Sequence, residues 1–250
     1  MQRAVRLALI AVALASAPAG AEIVFFTDHG EFTQFNQADG KFLKGIETFE
    51  ESDAPPGSKN PFPNSLQHGV PRPTFPNGID QTNLIIQTNI TLGECPPTPN
   101  PSTFDRALWS NGAGFLGSNS IKVGTDEFLN QSFSSLDLIF TTNDKTGVGL
   151  DVSTFAGFNQ GHAGYVFCVY DQFENILGSY TMGGPTVPEP NKNFFGVWSS
   201  TPIGRLNVWG IFAVPQPYAV DNIEMWVPEP NSALLLGVLA LLAARARRGA

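Results

Sequence analysis

The groups able to do chemistry are few and scattered. Three histidines, His29, His68 and His162, stand alone in TDHGE, LQHGV and GHAGY. There is no H-E-x-x-H zinc helix and no G-x-S-x-G nucleophile turn, so metal-assisted and serine hydrolysis have no motif to start from. Isolated loop histidines of this kind read as solvated bystanders. The 22 acidic residues allow many carboxylate pairs of the sort that hydrolyse glycosides, but abundance selects none of them. More specific is the group Glu50, Glu51 and Asp53 behind an early strand-like run, taken with Asp221 in DNIEMW near the end of the folded body. Calcium takes several carboxylate and carbonyl oxygens. Antiparallel pairing of an early strand with the closing one makes Glu50, Asp53 and Asp221 candidate ligands of a structural Ca²⁺. The competing reading gives Asp221 and Asn222 an ordinary turn or strand-edge hydrogen bond.

Aromatic rings that stack on sugars are the other chemical resource. Trp198, Trp209 and Trp226 sit in alternating runs and read as core. Trp109, in RALWSNGAGF, has the least strand-like setting and is the candidate glycan-stacking residue, with polysaccharide as its partner. Two cysteines, Cys95 in the proline-rich GECPPTPNP and Cys168 in YVFCVY, form a disulfide candidate in an exported chain. The alternative leaves Cys168 as a small buried hydrophobe.

The elements that must position these residues are short. Runs rich in β-branched and aromatic residues recur between Gly, Pro, Asn and Asp: KFLKGIETFEES, NLIIQTNITL, SNSIKVGT, SFSSLDLIFTT, VGLDVSTF, the hairpin GYVFCVYDQFENILGSYTM, FFGVWSS, LNVWGIFA and AVDNIEMWV. That spacing implies an all-β chain folded as one β-sandwich or jelly roll. The twenty phenylalanines supply its filling. One short helix is expected in FFTDHGEFTQFNQADG, capped by Thr27 or Asp28, carrying Glu31 in its first turn and ending at Gly40. The punctuated stretch DAPPGSKNPFPNSLQHGVPRPTFPNG reads as loop with one edge strand.

Both termini differ from the body. Arg3 and Arg6 precede an apolar run, Leu7 to Ala15, then ASAPAGAE. This is the layout of a secretory signal helix cut by signal peptidase after Ala19 or, preferably, Ala21. Between Glu22 and Glu229 nine basic residues face 22 acidic ones, a balance that disfavours nucleic acid. VPEP occurs twice. The first copy, at Val187, is followed by polar residues and a strand. The second, Val227 to Pro230, is followed by the apolar run Ala233 to Ala244 and then by Arg245, Arg247 and Arg248.

Over about the last two dozen residues, the order Pro228-Glu229-Pro230, apolar run and arginine cluster resembles the PEP-CTERM sorting signal of Gram-negative bacteria. The resemblance implies an inner-membrane intermediate held by the C-terminal apolar helix, removal of the tail by an exosortase-type peptidase, and release to the cell surface or the extracellular exopolysaccharide matrix. The arginines would stay in the cytoplasm by the positive-inside rule. Twelve apolar or small residues are short for a span of roughly 20. The body, through IETFEE, YVFCVYDQFENILG, FFGVWSSTPIGRLNVWG and AVDNIEMW, is similar to a sandwich domain frequent in that family. The expected plan is signal peptide 1–21, sandwich 22–226 and sorting tail 227–250. The expected role is non-catalytic, with a calcium-containing carbohydrate-binding module as the alternative and a polysaccharide hydrolase behind both.

Overall fold

A computed structural model of the chain describes residues 21–62, 65–90, 95, 108–111, 118–123, 134–154, 164–183, 193–211 and 218–230. Residues 1–20, expected as most of a signal peptide, the first VPEP, His162 and residues 231–250 with Arg245, Arg247 and Arg248 lie outside them. In chain order the elements are β1 (Ile23–Phe26), α1 (His29–Ala38), β2 (Lys41–Glu47), β3 (Lys59–Phe62), β4 (Leu66–Gln67), β5 (Leu84–Ile90), β6 (Leu108–Asn111), β7 (Ser120–Val123), β8 (Ser134–Phe140), β9 (Gly147–Thr154), β10 (Gly164–Asp171), β11 (Ile176–Gly183), β12 (Asn193–Ser199), β13 (Ile203–Ile211) and β14 (Tyr218–Pro228).

The strands form two antiparallel sheets, as an all-β sandwich requires. One runs β1-β12-β9-β14-β7-β6-β3, with β2 also on β14; the other runs β11-β10-β13-β8-β5-β4. Alternation decides which side chains meet between them. Leu136 and Leu138 of β8, Leu150 and Val152 of β9, Leu206 and Val208 of β13 and Val220 of β14 are all fully buried in one cluster. Phe167 of β10 lies flat against Phe195 of β12, ring centroids 3.6 Å apart, and stitches the sheets together. Phe49, Phe75 and Ile79, from the loops after β2 and β4, join the same cluster.

A second, smaller core lies on the far side of the larger sheet, where α1 packs. Asp28 is the N-cap and accepts the Glu31 N–H at 2.8 Å, satisfying a first-turn donor. Gly40 turns the chain with φ +66°. Phe32 faces the sheet and is fully buried with Phe26, Trp198 and Trp226. The approach is close because the sheet beneath carries glycine. Gly196 of β12 pairs with Gly149 of β9, and a Cβ on Gly196 would stand 2.7 Å from the Phe32 ring. On Gly149 it would stand 2.9 Å from that ring. The molecule is therefore layered as helix, larger sheet, smaller sheet.

The helix starts behind the Asp28 cap, as expected, and Ile23–Phe26 before it form a separate strand, β1, which pairs with β12; four residues are too few for a periodicity to show. Two expectations change. The proline-rich stretch holds two short strands, β3 and β4, where one was expected. Trp109 lies within β6, between β3 and β7.

Gly196→Ala is expected to lower the unfolding free energy by about 1–3 kcal/mol, the usual cost of forcing extra volume into a packed layer. Urea denaturation measures it, and an unchanged midpoint would mean that Phe32 can move aside freely.

Candidate functional site

The closing strand organises the polar groups of the larger sheet. One edge of β14 pairs with β9 along most of its length. The other edge is divided: Tyr218 to Val220 pair with β7 and Ile223 to Pro228 with β2. In the gap between them the strand bulges. Asn222 takes φ +49°, a left-handed conformation that asparagine tolerates better than most residues. Its N–H bonds Asp221 Oδ1 at 2.7 Å, and its side-chain amide bonds Asp151 Oδ2 on β9 at 2.8 Å.

The early loop and the closing strand meet at this bulge. Asp221 is fully buried, and its Oδ2 accepts the Ser118 hydroxyl. The next residue, Asn119, donates its backbone N–H to Glu50 Oε1 at 3.1 Å and its side-chain amide to the Ser52 carbonyl at 3.3 Å. Glu50 and Asp221 thus reach the same two-residue segment. Asp53 is exposed and donates its own N–H to Thr74 O. Among the described residues no three His, Cys, Asp or Glu side chains are grouped as metal ligands. The described arrangement is a hydrogen-bonded knot.

One turn further along β14 the face changes character. Glu224 is buried and pairs with His29 of α1 at 2.6 Å. Its other oxygen accepts the Trp226 indole N–H at 3.0 Å. His29, expected as a bystander, is therefore held at the start of the helix, where it also packs on Phe194 with ring centroids 4.9 Å apart. A carboxylate orienting an imidazole is half of a nucleophilic relay. Among the described residues no hydroxyl or thiol bonds the histidine. The pair opens into a cleft of about 480 Å³ between α1 and β2, with Trp226 among its lining residues. His68 caps the Ile79 carbonyl instead, at 2.9 Å.

A second pair of acids was hidden in the run ETFEES. Glu47 ends β2, is fully buried, and accepts the N–H groups of Phe49 at 3.0 Å and Gln81 at 3.1 Å. These bonds hold Phe49 at φ +57°, a costly conformation for a bulky side chain. Glu51 lies beside it, with Oε1 buried and without a hydrogen-bond partner. Burial, then the neighbouring Glu47 carboxylate, pushes the Glu51 carboxyl up to about 8.

Cys95 and Cys168 are joined by a disulfide, Cα atoms 5.9 Å apart. Cys168 pairs with Asn207 on β13, and both belong to a buried polar patch on the outer face of the smaller sheet. Asn207 bonds Asp137 Oδ1 at 2.6 Å and Ser135 Oγ at 3.0 Å. Arg205 bonds the same Asp137 oxygen at 3.1 Å and stands 3.8 Å over the Tyr170 ring. Asn207 Oδ1 and the Tyr170 hydroxyl are buried without hydrogen-bond partners. Alternation placed these residues on the non-core face, but nothing in it foretold their burial. Of Trp109 only the strand position is described. At the far end of β14, Pro228 is the last strand residue, and Pro228, Glu229 and Pro230 are exposed. No helix among the described residues is long and apolar enough to cross a membrane.

Two outcomes test these environments. A carboxyl whose folded pKa lies above its ordinary 4.5 loses stability for the fold as pH rises. The unfolded chain releases that proton near 4.5, whereas the folded chain keeps it to about 8. Stability should decline between those limits, and Glu51→Gln should flatten the decline in a series of thermal melts. Identical slopes in both proteins would remove Glu51 as the cause. Cys95→Ser opens a loop of 73 residues and should cost about 4 kcal/mol by chain entropy, read by urea titration without reductant; an unchanged free energy would deny the bridge its role.

No family model matches the chain, and no curated protein does. Among solved structures it is similar to the crystal structure of the enzymatically active domain of bacteriophage CBA120 tailspike protein 4. Sequence identity is 10%, the TM-score is 0.28, and the match covers 80% of this chain but 21% of that one. A likeness at that score carries no argument about activity.

Proposed function

We propose that the chain is an exported, non-catalytic β-sandwich of jelly-roll type, sorted to the cell surface or the exopolysaccharide matrix by its C-terminal segment. The parts are a signal peptide at 1–21, a body at 22–226 and a sorting tail at 227–250. The observation that carries this reading is where Pro228-Glu229-Pro230 falls. Proline cannot donate to a strand ladder, so β14 stops at the motif. The motif is exposed, directly follows the buried Trp226 and Val227, and directly precedes the apolar run and the arginines. A peptidase acting there would meet accessible chain at the boundary of the folded body and could cut without unfolding it.

A second reading is a glycan-binding module with Trp109, which lies in β6 of the larger sheet, as its stacking residue.

The intact mass of protein recovered from the producing cell's surface and medium tests the first reading. The mature form should start near Glu22 and lack the arginine cluster, and Glu229→Ala should retain the tail. A mature peptide reaching Arg248 in the unaltered protein sinks tail removal. Binding on a glycan array, with and without Ca²⁺, would move the assignment to the second reading.

A further inference from the structure

At one end of the smaller sheet, the turn after β8, the β10–β11 hairpin and the start of β13 enclose a cavity of about 230 Å³. Its lining includes Thr141, Asn143, Asp171, Gln172, Glu174 and Gly204. Pockets for drug-sized ligands run to ~300–1,000 Å³, so this one has room for a single small ring. Phe173 stands at the hairpin tip, between two of the lining residues in the chain, and is 74% exposed.

The hairpin is ordered by its own bonds. The Asp171 carboxylate accepts the N–H groups of Phe173 at 2.7 Å and Asn175 at 2.9 Å, and the Asn175 side-chain amide at 2.8 Å. Glu174 takes φ +65°, a costly conformation for a residue with a Cβ. Its Oε2 accepts Arg205 Nε at 2.9 Å, which fastens the turn to β13. Gly204 permits that approach, since a Cβ there would stand 2.6 Å from Asp171 O. Phe173 is therefore displayed on a fixed backbone, and contact through it loses little further entropy.

The groups around the cavity match the needs of a sugar ring. Asn143 and Gln172 each carry an amide donor and acceptor, Thr141 a hydroxyl, and Glu174 a second carboxylate oxygen, Oε1. Among the described residues these four groups have no hydrogen-bond partner. A pyranose presents hydroxyls that give and take hydrogen bonds, and a C–H face that packs on an aromatic ring. The lining holds two carboxylates, Asp171 and Glu174, and no lysine or arginine among the described residues. Like charge there disfavours uronic and sulfated sugars.

We propose that this cavity and Phe173 form a site for one neutral hexopyranose unit of a polysaccharide. The sugar ring stacks on Phe173, and Asn143, Gln172 and Glu174 bond its hydroxyls. The site rests on the glycan-binding reading only for its ligand class, because Trp109 belongs to the other sheet.

Affinity electrophoresis of the full-length protein tests it, in gels containing hydroxyethylcellulose, dextran, galactomannan or polygalacturonate. At least one of the three neutral polymers should retard the protein, and polygalacturonate should not. In the retarding gel, Phe173→Ala and Gln172→Ala should each weaken association about fivefold or more. Both side chains are exposed, so neither change disturbs the core. Retardation that survives Phe173→Ala but is lost in Trp109→Ala overturns this site and keeps the glycan-binding reading. No retardation by any neutral polymer overturns the site, while the glycan array decides the broader reading. Stronger retardation by polygalacturonate also overturns it. So does a mass that doubles with protein concentration and stays monomeric in Phe173→Ala, because the exposed ring would then serve a second copy.

Discussion

Everything on the larger sheet depends on how β14 divides its second edge. A strand paired uniformly on both sides would be a plain centre of the sheet. Here β7 takes the first part of that edge and β2 the last part, and Asn222 bulges between them with φ +49°. The bulge lets Asp221 stay buried on β14 while Ser118 and Asn119 reach across from the approach to β7. It also resets the alternation. Ile223 and Met225 return to the core, while Glu224 and Trp226 turn toward α1. The cleft, the His29–Glu224 pair and the exit of the tail all follow from that one extra residue.

The helix works by the opposite device, an absence of side chains. Gly147, Gly149 and Gly196 leave a smooth strip on the sheet. A Cβ on Gly147 would meet Asn36 Oδ1 at 2.4 Å. Phe32 and Asn36, one turn apart, settle into the strip, and Asn36 returns its amide to Phe32 O at 2.9 Å. Trp198 completes the seal by donating its indole N–H to Asp39 at 2.8 Å. A short helix with little apolar surface of its own is stable here because burial on the sheet outweighs its weak propensity.

What could be read from the chain, and what could not, divides along range. The helix cap at Asp28, the antiparallel hairpin of β10 and β11 and the stop at Pro228 are decided by neighbours a few residues apart, and they stood in the sequence. That Glu50 and Asp221 lie near one segment, Ser118–Asn119, was reachable from one topological guess, that an early strand lies against the last. The pairing of His29 with Glu224 spans 195 residues, and no local pattern distinguishes that histidine from His68. Glu47 was legible as a strand residue but not as the carboxylate that fixes Phe49 in a left-handed turn. The buried patch around Asp137 and Asn207 was similarly opaque, because alternation assigns a face and says nothing about what covers it.

The two acid clusters show why position outweighs composition. Glu47 is fully buried and pinned by two backbone N–H donors, which reduce but do not cancel the cost of removing a carboxylate from water, so burial still holds its carboxyl above the usual range. Its neighbour Glu51 lacks such donors on Oε1, and holding its proton is the remaining way to avoid a second buried charge. Asp221, no less buried than Glu47, is supplied instead by a hydroxyl and the bulged N–H of Asn222. In each case the backbone next to the acid is bent into an uncommon conformation that brings a donor to it, at Phe49 and at Asn222. The strained turns and the buried acids thus belong to one arrangement. It joins the end of β2 and the middle of β14, and it fixes the edge strand on which the apolar cleft is built.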